Sequence, residues 1–420
     1  MADELPGEEI SLWVKTTGRT SYPSLGEDTK HYDVVVVGGG ITGIVAAYRL
    51  AQSGREVALI ERERIVEWTT GGTTAKLSSQ HYLIYSHLID RHGEALARAF
   101  ADANQDGIDA IERLAADLPI ECEFSRRSSY VFSRDSASVE AFEREVEAAR
   151  RLGLPAQFET STELPFEVRA VVRFDDQAQF HPRKFLLKLA EEFVRGGGVI
   201  FEHTNATTIV PGEPNTVFTD RGSLTGDVVV QASGEPFWRN EILDGRMWMK
   251  MSYALAVELE DRAEYPDGMY ITTDEPMRSI RSAACDGGPV LIFGGESHEY
   301  EEGSFDPDPH YRALIEDVRA RFEVRSVHCR WLAGDFMPYD RIPFIGPDPE
   351  HPSIYLATGY RAWGLAWAMS AAEGIRGYVD GAPADWIEHF SLERLEAPLR
   401  DEDRVRGIPN SGVEMRAQGD

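Results

Sequence analysis

The sequence predicts an α/β protein in which a parallel sheet flanked by helices is interleaved with an α+β domain built on antiparallel strands. A buried apolar run at Val34–Val37 leads into glycines and a helical pattern, as at the start of a parallel unit. A second apolar run follows that helix, and further such units alternate with short strands of polar–apolar character. The chain has 420 residues, 42% of them hydrophobic, enough to fill the cores of two intertwined domains.

The first unit carries a glycine pattern that is typical of dinucleotide binding. Val34–Val37 reads as a strand buried on both faces, and we expect a helix to begin near Ile41. Gly38, Gly40 and Gly43 have the G-x-G-x-x-G spacing, which permits a tight turn, close approach of a pyrophosphate, and packing of helix on strand. The amides of the helix N-terminus then face the phosphates, where the helix dipole favours negative charge.

An acidic residue completes this pattern. The second strand, Val57–Ile60, ends at Glu61, about twenty residues after the glycines, where a carboxylate can accept hydrogen bonds from a ribose diol. The alternative is a tight turn in an α/β domain without a ligand. Two strands, a helix and the acid in register favour a Rossmann-like dinucleotide site.

Charge and hydropathy narrow the range of partners. The net charge is −28, so nucleic acid and anionic membranes are poor partners. The acidic start "MADELPGEEI" is unlike a signal sequence, and the absence of an apolar run of about eighteen residues predicts a cytoplasmic protein without a membrane span. Only six of the 43 basic residues are Lys, which suits a halophilic cytoplasm; a GC-rich genome is the alternative. Three widely spaced cysteines indicate neither a disulfide framework nor a metal site.

A polar loop after Glu61 favours a flavin over a nicotinamide. Nicotinamide enzymes usually repeat strand and helix at once, whereas this chain continues with "EWTTGGTTAKLSSQH", residues 67–81. Such a loop can lay amides and hydroxyls along a pyrophosphate and under a flavin, although an ordinary Thr- and Gly-rich turn is the alternative. A nicotinamide dehydrogenase is therefore the weaker interpretation.

The remaining pattern divides the chain into alternating segments. We expect helices at 137–152, 182–195 and 309–322, a buried strand at Val228–Val230, and a strand, glycine turn and helix within 354–379. The predicted organisation is an N-terminal extension (1–30), a nucleotide-binding domain (31–115, 170–240 and 336–395), a substrate domain (116–169 and 241–335) and a tail (396–420).

Four segments together resemble one family. "SLWVKTTGRTSYPSL", "VVVVGGGITG", "TTAKLSSQH" and "GYRAWGLAWAMSAAEGI" are similar to the D-amino-acid-oxidase (DAO) superfamily of FAD-dependent oxidoreductases, which includes glycine, sarcosine and γ-glutamylputrescine oxidases. They are most similar to a branch whose members often carry a C-terminal Rieske iron–sulfur domain. The resemblance covers about residues 10–395. Because the sequence has no Cys-x-His and Cys-x-x-His pair, we expect no Rieske domain here and another exit for electrons.

The resemblance assigns residues to FAD. The glycine turn would lie by the pyrophosphate, Glu61 and Arg62 by the adenosine ribose, the polar loop from phosphate to isoalloxazine, and one helix N-terminus at the flavin N1–C2=O edge. The implied FAD-binding residues are Gly38, Gly40, Gly43, Glu61, Arg62, Thr69, Thr70, Thr73, Thr74, Ala75, Lys76, Ala206, Gly234, Gly359, Trp363, Gly364 and Leu365.

Three departures from the family bear on the flavin. Gly72 stands where relatives, including some with covalent FAD, carry a histidine. Cys329 is about four residues too early to match the flavin-linked cysteine of sarcosine oxidases, so noncovalent FAD is expected. Ile292 falls near the position of the lysine that helps sarcosine oxidases react with oxygen.

The resemblance also implies a reaction, in which a small amine or amino acid gives hydride to flavin N5. The candidate catalytic residues are Lys76, His81, Tyr253 and Arg281, with Arg281 binding a substrate carboxylate. The alternatives are a structural Lys, a capping His, a hydrogen-bonded Tyr and a surface Arg. The acceptor is predicted to be a separate redox protein rather than oxygen. A second hypothesis is a flavin-binding electron-transfer subunit with little activity of its own.

Overall fold

A computed structural model describes residues 5–238, 243, 245–285, 287–301 and 305–396. The strands are β1 (Glu8–Glu9), β2 (Lys30–Val37), β3 (Val57–Ile60), β4 (Lys76–Leu77), β5 (Ser125–Ser133), β6 (Ala156–Glu159), β7 (Ala170–Gln179), β8 (Val199–Phe201), β9 (Ala206–Val210), β10 (Asn215–Thr219), β11 (Ser223–Gln231), β12 (Met247–Leu259), β13 (Met269–Thr272), β14 (Arg278–Ala283), β15 (Val290–Glu299), β16 (Val324–Pro338), β17 (Phe344–Pro347) and β18 (Ile354–Thr358). The helices are α1 (Leu12–Thr17), α2 (Ile41–Gln52), α3 (Tyr85–His92), α4 (Glu94–Asp117), α5 (Val139–Arg151), α6 (Pro182–Arg195), α7 (Asp308–Arg321) and α8 (Gly364–Val379).

The smaller sheet is the predicted parallel sheet. Its strand order is β17-β18-β11-β2-β3-β8, with β10 and β9 attached at β11. The pairs from β18 to β8 run parallel, and only the edge pair of β17 with β18 on this path is antiparallel. Val34–Val37 is buried throughout, because helices cover the sheet and α2 packs against both α6 and α8.

The larger sheet is mostly antiparallel and forms the second layer. Its order is β1-β16-β12-β15-β14-β13-β5-β7-β4, with β6 on β7. Successive residues of β12 point to opposite faces: Leu255 packs in the core beneath α7, whereas Ala254 belongs to the core between the two sheets. This arrangement of a parallel sheet and an interleaved antiparallel sheet confirms the predicted α/β fold.

Two strands lie in a different sheet from the one predicted. β4 and β7 belong to segments that we assigned to the nucleotide-binding domain, but β7 pairs antiparallel with β5 and β4 pairs with β7 in the larger sheet. Val171 and Val172 of β7 are both fully buried, on opposite faces. A strand buried on both faces has the same continuous apolar pattern in either kind of sheet, so the sequence does not reveal which sheet it joins.

Residues predicted as an N-terminal extension are packed into the fold, because β1 pairs with β16 and Trp13 of α1 is 1% exposed. The predicted tail lies outside the described residues except for Glu396, as does the predicted domain boundary at 240–241. Among the helices described, none combines the length and hydropathy needed to cross a membrane.

Candidate functional site

A cavity of about 740 Å³ lies between the two sheets. One side is formed by the turn after β2, the 67–74 loop and the turn before α8. The opposite side is formed by β12, β14, β15 and β16 of the larger sheet. The cavity is therefore continuous from the predicted dinucleotide site to the face of the antiparallel sheet.

The glycines of the first turn are required by close backbone contacts. Gly38 has φ 111°, and a Cβ atom there would lie 2.4 Å from the Ala232 carbonyl oxygen. A Cβ atom at Gly43 would lie 1.8 Å from the Gly38 carbonyl oxygen. Gly38 and Gly40 line the cavity, whereas Gly43 lies behind them and allows α2 to approach β2.

Two helix N-termini open onto the cavity, and in neither does the side chain of the N-cap residue bond to the first turn. At α2 the N-cap is Gly40, and the Thr70 hydroxyl accepts from the Ile41 amide at 3.1 Å. At α8 the N-cap is Trp363, and Gly364 and Leu365 line the cavity. First-turn amides that lack capping groups favour an anionic or polar ligand, so both ends suit the pyrophosphate and the polar edge of an FAD.

Glu61 lies at the cavity wall at the end of β3. Its carboxylate accepts hydrogen bonds from the Gly39 amide at 2.7 Å and the Glu63 amide at 2.9 Å. Burial raises the pKa of Glu61, and the two amide bonds act in the opposite direction. Arg62, Ala206 and Gly234, which the family resemblance also assigns to FAD, line the same cavity.

The polar loop is held in place from the larger sheet and from α1. The Thr69 hydroxyl donates to the Gly334 carbonyl at 2.6 Å, and Trp331 Nε1 donates to the Gly72 carbonyl at 2.8 Å. Trp13 Nε1 of α1 donates to the Thr73 carbonyl at 2.7 Å. These bonds fix the loop between the two sheets.

Most of the residues assigned to FAD line this one cavity. Ala75, like Gly43, does not: it is fully buried with φ 57° and supports the loop. The residues that line the cavity are Gly38, Gly40, Glu61, Arg62, Thr69, Thr70, Thr73, Thr74, Lys76, Ala206, Gly234, Gly359, Trp363, Gly364 and Leu365.

Lys76 is the catalytic candidate whose position fits its predicted role. It lies at the cavity wall with only 7% of its surface exposed, and its Nζ donates to the Ser279 hydroxyl. Burial, with a smaller effect of nearby Arg281, lowers the pKa of Lys76 to about 7. Lys76 can therefore hold or release a proton near neutral pH.

His81 does not line the cavity. Its ring stacks on Trp363 with centroids 4.8 Å apart, and its Nε2 lies 3.1 Å from the Ser78 carbonyl oxygen. Burial lowers the pKa of His81 to about 3, which keeps the ring neutral. The predicted catalytic role of His81 does not fit this position. Its ring instead supports the ring of Trp363, which lines the cavity.

Tyr253 borders the cavity, but its ring points to the other face of the sheet. It stacks on His310 of α7 at 4.5 Å, and its hydroxyl lies 2.9 Å from His298 Nε2. Neighbouring residues of β12 alternate in direction, so the side chains of Ser252 and Ala254 face the cavity instead. Contact of the Tyr253 ring with a substrate does not fit this position.

Arg281 is also absent from the cavity lining. Its Nε donates to the Thr74 carbonyl at 2.6 Å, and its guanidinium lies over the Trp13 ring at 5.3 Å. Burial lowers the pKa of Arg281 to about 9. The predicted binding of a substrate carboxylate does not fit this position, and Arg281 instead supports the polar loop.

Lys250 and Asp335 on the larger sheet and Arg361 in the turn before α8 also line the cavity and were not predicted. Lys250 of β12 and Asp335 of β16 are direct partners in adjacent antiparallel strands. Burial lowers the pKa of Lys250 to about 8 and raises the pKa of Asp335 to about 6. A lysine within the otherwise apolar "MWMKM" is the signal in the sequence that could have drawn attention to this strand.

Comparisons with known proteins agree with this geometry. The profile of the DAO family, FAD dependent oxidoreductase, matches residues 33–376. A Bacillus subtilis protein named for a Rieske 2Fe-2S iron–sulfur centre, YhfW, is 34% identical over 388 residues, covering 92% of this chain and 75% of the relative. The glycine oxidase of Bacillus licheniformis is 24% identical over 425 residues, covering 88% of this chain and 100% of the relative.

Solved structures share the fold. Glycine oxidase from Geobacillus kaustophilus superposes with a TM-score of 0.74 at 17% identity, over 87% of this chain and 99% of that chain. L-Proline dehydrogenase from P. horikoshii superposes with a TM-score of 0.73 at 18% identity, over 90% of this chain and 100% of that chain.

Proposed function

The chain belongs to the DAO family of FAD dependent oxidoreductases, and from this membership we propose that it oxidises a carbon–nitrogen bond of a small amine or amino acid. The observation that carries the proposal is the cavity, which joins the glycine turn and the N-termini of α2 and α8 to a face of the larger sheet. Relatives named glycine oxidase and gamma-glutamylputrescine oxidoreductase support the reaction class.

In this proposal the chain holds FAD along one side of the cavity. The glycine turn and the N-terminus of α2 would hold the pyrophosphate, Glu61 would accept from the ribose, and the amides of Gly364 and Leu365 would bind the polar edge of the flavin. FAD would supply the acceptor for a hydride from the substrate carbon next to nitrogen.

The protein groups have three tasks in the reaction. The larger sheet covers the cavity and excludes water, which strengthens electrostatic interactions there. The polar loop, fixed by Trp13, Trp331 and Arg281, keeps the cofactor side in one geometry. Lys76 holds a proton at Nζ next to the Ser279 hydroxyl and can exchange it near neutral pH.

The same geometry supports noncovalent attachment of FAD. A Cβ atom at Gly72 would lie 2.9 Å from the Ala333 Cβ, which leaves little room for the histidine found in relatives. Cys329 is fully buried and does not line the cavity, and burial raises the pKa of Cys329 to about 11. A thiol in that state is a poor nucleophile.

A direct test is anaerobic reduction of the FAD-loaded protein by a panel of amines and amino acids. Loss of the visible flavin absorption with one class of compound, and formation of the matching carbonyl product and ammonia or amine, is the expected result. A protein that loads FAD but is reduced by no member of the panel would contradict the proposal.

That negative result would favour a second candidate, an electron-transfer subunit. The observation behind this candidate is the name of the 34% identical relative, which refers to an iron–sulfur centre. An electron-transfer subunit should be reduced by a partner protein or by dithionite, and not by amines. A protein that binds no flavin and instead takes up a nicotinamide would exclude both.

A further inference from the structure

Two oppositely charged side chains on paired strands line the cavity where the larger sheet forms its wall. Lys250 is 5% exposed, Asp335 is half-buried, and both line the cavity. They are direct partners in the register of β12 and β16, so their side chains emerge from the same face of the sheet. Each influences the other: Lys250 acts to lower the pKa of Asp335, and Asp335 acts to raise the pKa of Lys250.

This pair is not a closed ion pair. Within the described ranges, the side chains of Lys250 and Asp335 form no hydrogen bond or salt bridge, either with each other or with another residue. A buried charge without a hydrogen-bonding partner is costly, and buried charges are normally paired. The nearly buried Lys250 ammonium and the half-buried Asp335 carboxylate both open into one cavity, where a ligand can supply the missing partners.

The charged residues around Lys250 and Asp335 determine which charged groups a ligand of this site needs. Arg361 also lines the cavity and lies close enough to lower the pKa of Lys250 further. Lys250 and Arg361 are thus two cations near each other, while Asp335 and Glu275 act on Lys250 in the opposite direction, so Lys250 can bind an anionic group of a ligand that also carries a positive charge. Among the carboxylates that line the cavity, Glu61, Glu63, Glu67 and Glu235 belong to the side assigned to FAD, which leaves Asp335 as the anionic group facing the substrate.

We propose that Lys250 and Asp335 form a two-point site for a dipolar substrate, in which Asp335 binds the ammonium group and Lys250 binds a carboxylate of the same molecule. The inference rests on the proposed function and narrows it: the substrate is an amino acid with closely spaced charges, and simple monoamines are excluded. A charge-assisted hydrogen bond at each end fixes the orientation of the substrate as well as its affinity. Lys250 takes over the carboxylate-binding role that Arg281 does not fulfil.

Three matched probes test the two points separately: ethylamine carries the ammonium, propionate the carboxylate, and DL-alanine both. Dissociation constants are measured anaerobically on the FAD-loaded protein from changes in the flavin absorption spectrum. The variants are Lys250→Met and Asp335→Asn, which keep side-chain size, and Lys30→Met and Asp117→Asn serve as controls on the exposed surface.

The expected result is a crossed pattern. Lys250→Met should weaken propionate about tenfold or more and leave ethylamine bound, whereas Asp335→Asn should weaken ethylamine and leave or improve propionate. DL-Alanine should weaken in both variants, and the controls should match the wild-type protein. The double variant Lys250→Met/Asp335→Asn carries no isolated charge, so it keeps the test available if a single variant does not fold, and it should lose all three probes.

Other patterns overturn the inference. Dissociation constants within about twofold of wild type in both variants, equal weakening of all probes in either one, or no binding of any probe to the wild-type protein would each do so. The proposed function fails separately: a crossed binding pattern without reduction of the flavin by any amine or amino acid would leave the dipolar site standing and exclude the oxidation.

Discussion

Lys76 on the edge strand β4 donates a hydrogen bond to Ser279 on β14, although β13, β5 and β7 lie between these two strands in the sheet. The larger sheet is therefore curved so strongly that its edge faces its middle. Both residues line the cavity, so this curvature brings a buried lysine to the cavity wall.

Replacing this lysine should raise stability at low pH. The pKa of Lys76 is about 7 in the folded protein and 10.5 in the unfolded chain. Between these pH values the unfolded chain binds a proton that the folded protein does not. The free energy of unfolding of the wild-type protein therefore rises with pH from about 7 to about 10.5. Below pH 7 the folded protein carries the full cost of the buried charge. Lys76→Met should therefore be more stable than wild type by about 1–4 kcal/mol at pH 6, with a smaller difference at pH 9.5.

Urea unfolding at the two pH values measures this difference. Lys188→Met on the surface of α6 is the matched control and should change the free energy of unfolding by less than about 0.5 kcal/mol. A Lys76→Met protein that is less stable at pH 6 would show that the bond to Ser279 outweighs the cost of burial.

Oxygen should be a poor electron acceptor. Ile292, near the position where sarcosine oxidases carry a lysine, is a 1% exposed apolar residue, so no positive charge is placed there to stabilise developing charge on oxygen. The substrate-reduced enzyme should react faster with a redox dye than with air-saturated buffer in stopped-flow mixing. Rapid reoxidation with stoichiometric hydrogen peroxide would identify an oxidase, and slowing of that step in Lys76→Met would assign the charge to Lys76.

FAD should leave the protein on denaturation. Because Gly72 and the buried Cys329 provide no attachment point, acid precipitation should release the yellow colour into the supernatant. A second observation is the mass of the denatured chain, which should equal that of the polypeptide alone. Flavin that remains in the pellet, with the corresponding increase in mass, would refute noncovalent binding.

Gly43→Ala should damage both the fold and the cofactor site. The added Cβ would lie 1.8 Å from the Gly38 carbonyl oxygen, so α2 must move away from β2, at a cost of about 1–3 kcal/mol. Thermal unfolding and the ratio of flavin to protein after purification should both decrease. Gly26→Ala, where a Cβ meets no atom within 4 Å, is the control and should change neither.

Salt should stabilise the protein. The net charge is −28, and the acidic side chains repel one another until salt screens them. The Debye length falls from about 10 Å at 0.1 M to about 3 Å at 1 M ionic strength. Tm should rise steeply between these concentrations in sodium chloride. A flat response would favour the alternative explanation of the composition, a GC-rich genome.

Local signals in the sequence predicted where two of the helices begin. The glycine spacing before Ile41 and the proline at the start of α6 predicted where these helices begin, and the structure confirms both positions. Each of these features depends on contacts between residues that are close in the chain. Such contacts are encoded by residue type and spacing alone.

The side chains that the larger sheet places in the cavity could not be predicted, because their direction depends on strand register and on packing between distant parts of the chain. Helix α7 covers one face of β12, and this decides that Ala254 rather than its neighbour Tyr253 faces the cavity. A shift of one residue in the strand would reverse the orientation of both side chains. The pairing of Lys250 with Asp335 likewise depends on the register of β12 against β16, which are far apart in the sequence. Candidates chosen by residue type alone, such as Arg281, therefore include residues that do not line the cavity.

The order in which the strands enter the two sheets has a consequence for how this enzyme evolves and works. The chain passes from one sheet to the other after β1, β3, β7, β11 and β16, so neither layer is a continuous piece of polypeptide. Unlike a protein of two consecutive modules, it cannot acquire a new specificity by exchanging one half through recombination at a single linker. Several chain segments connect the two layers, so the layers cannot separate by rotation about a single hinge. Change in specificity must therefore come from single substitutions on the strands that face the cavity, and substrate entry from local movements of its rim.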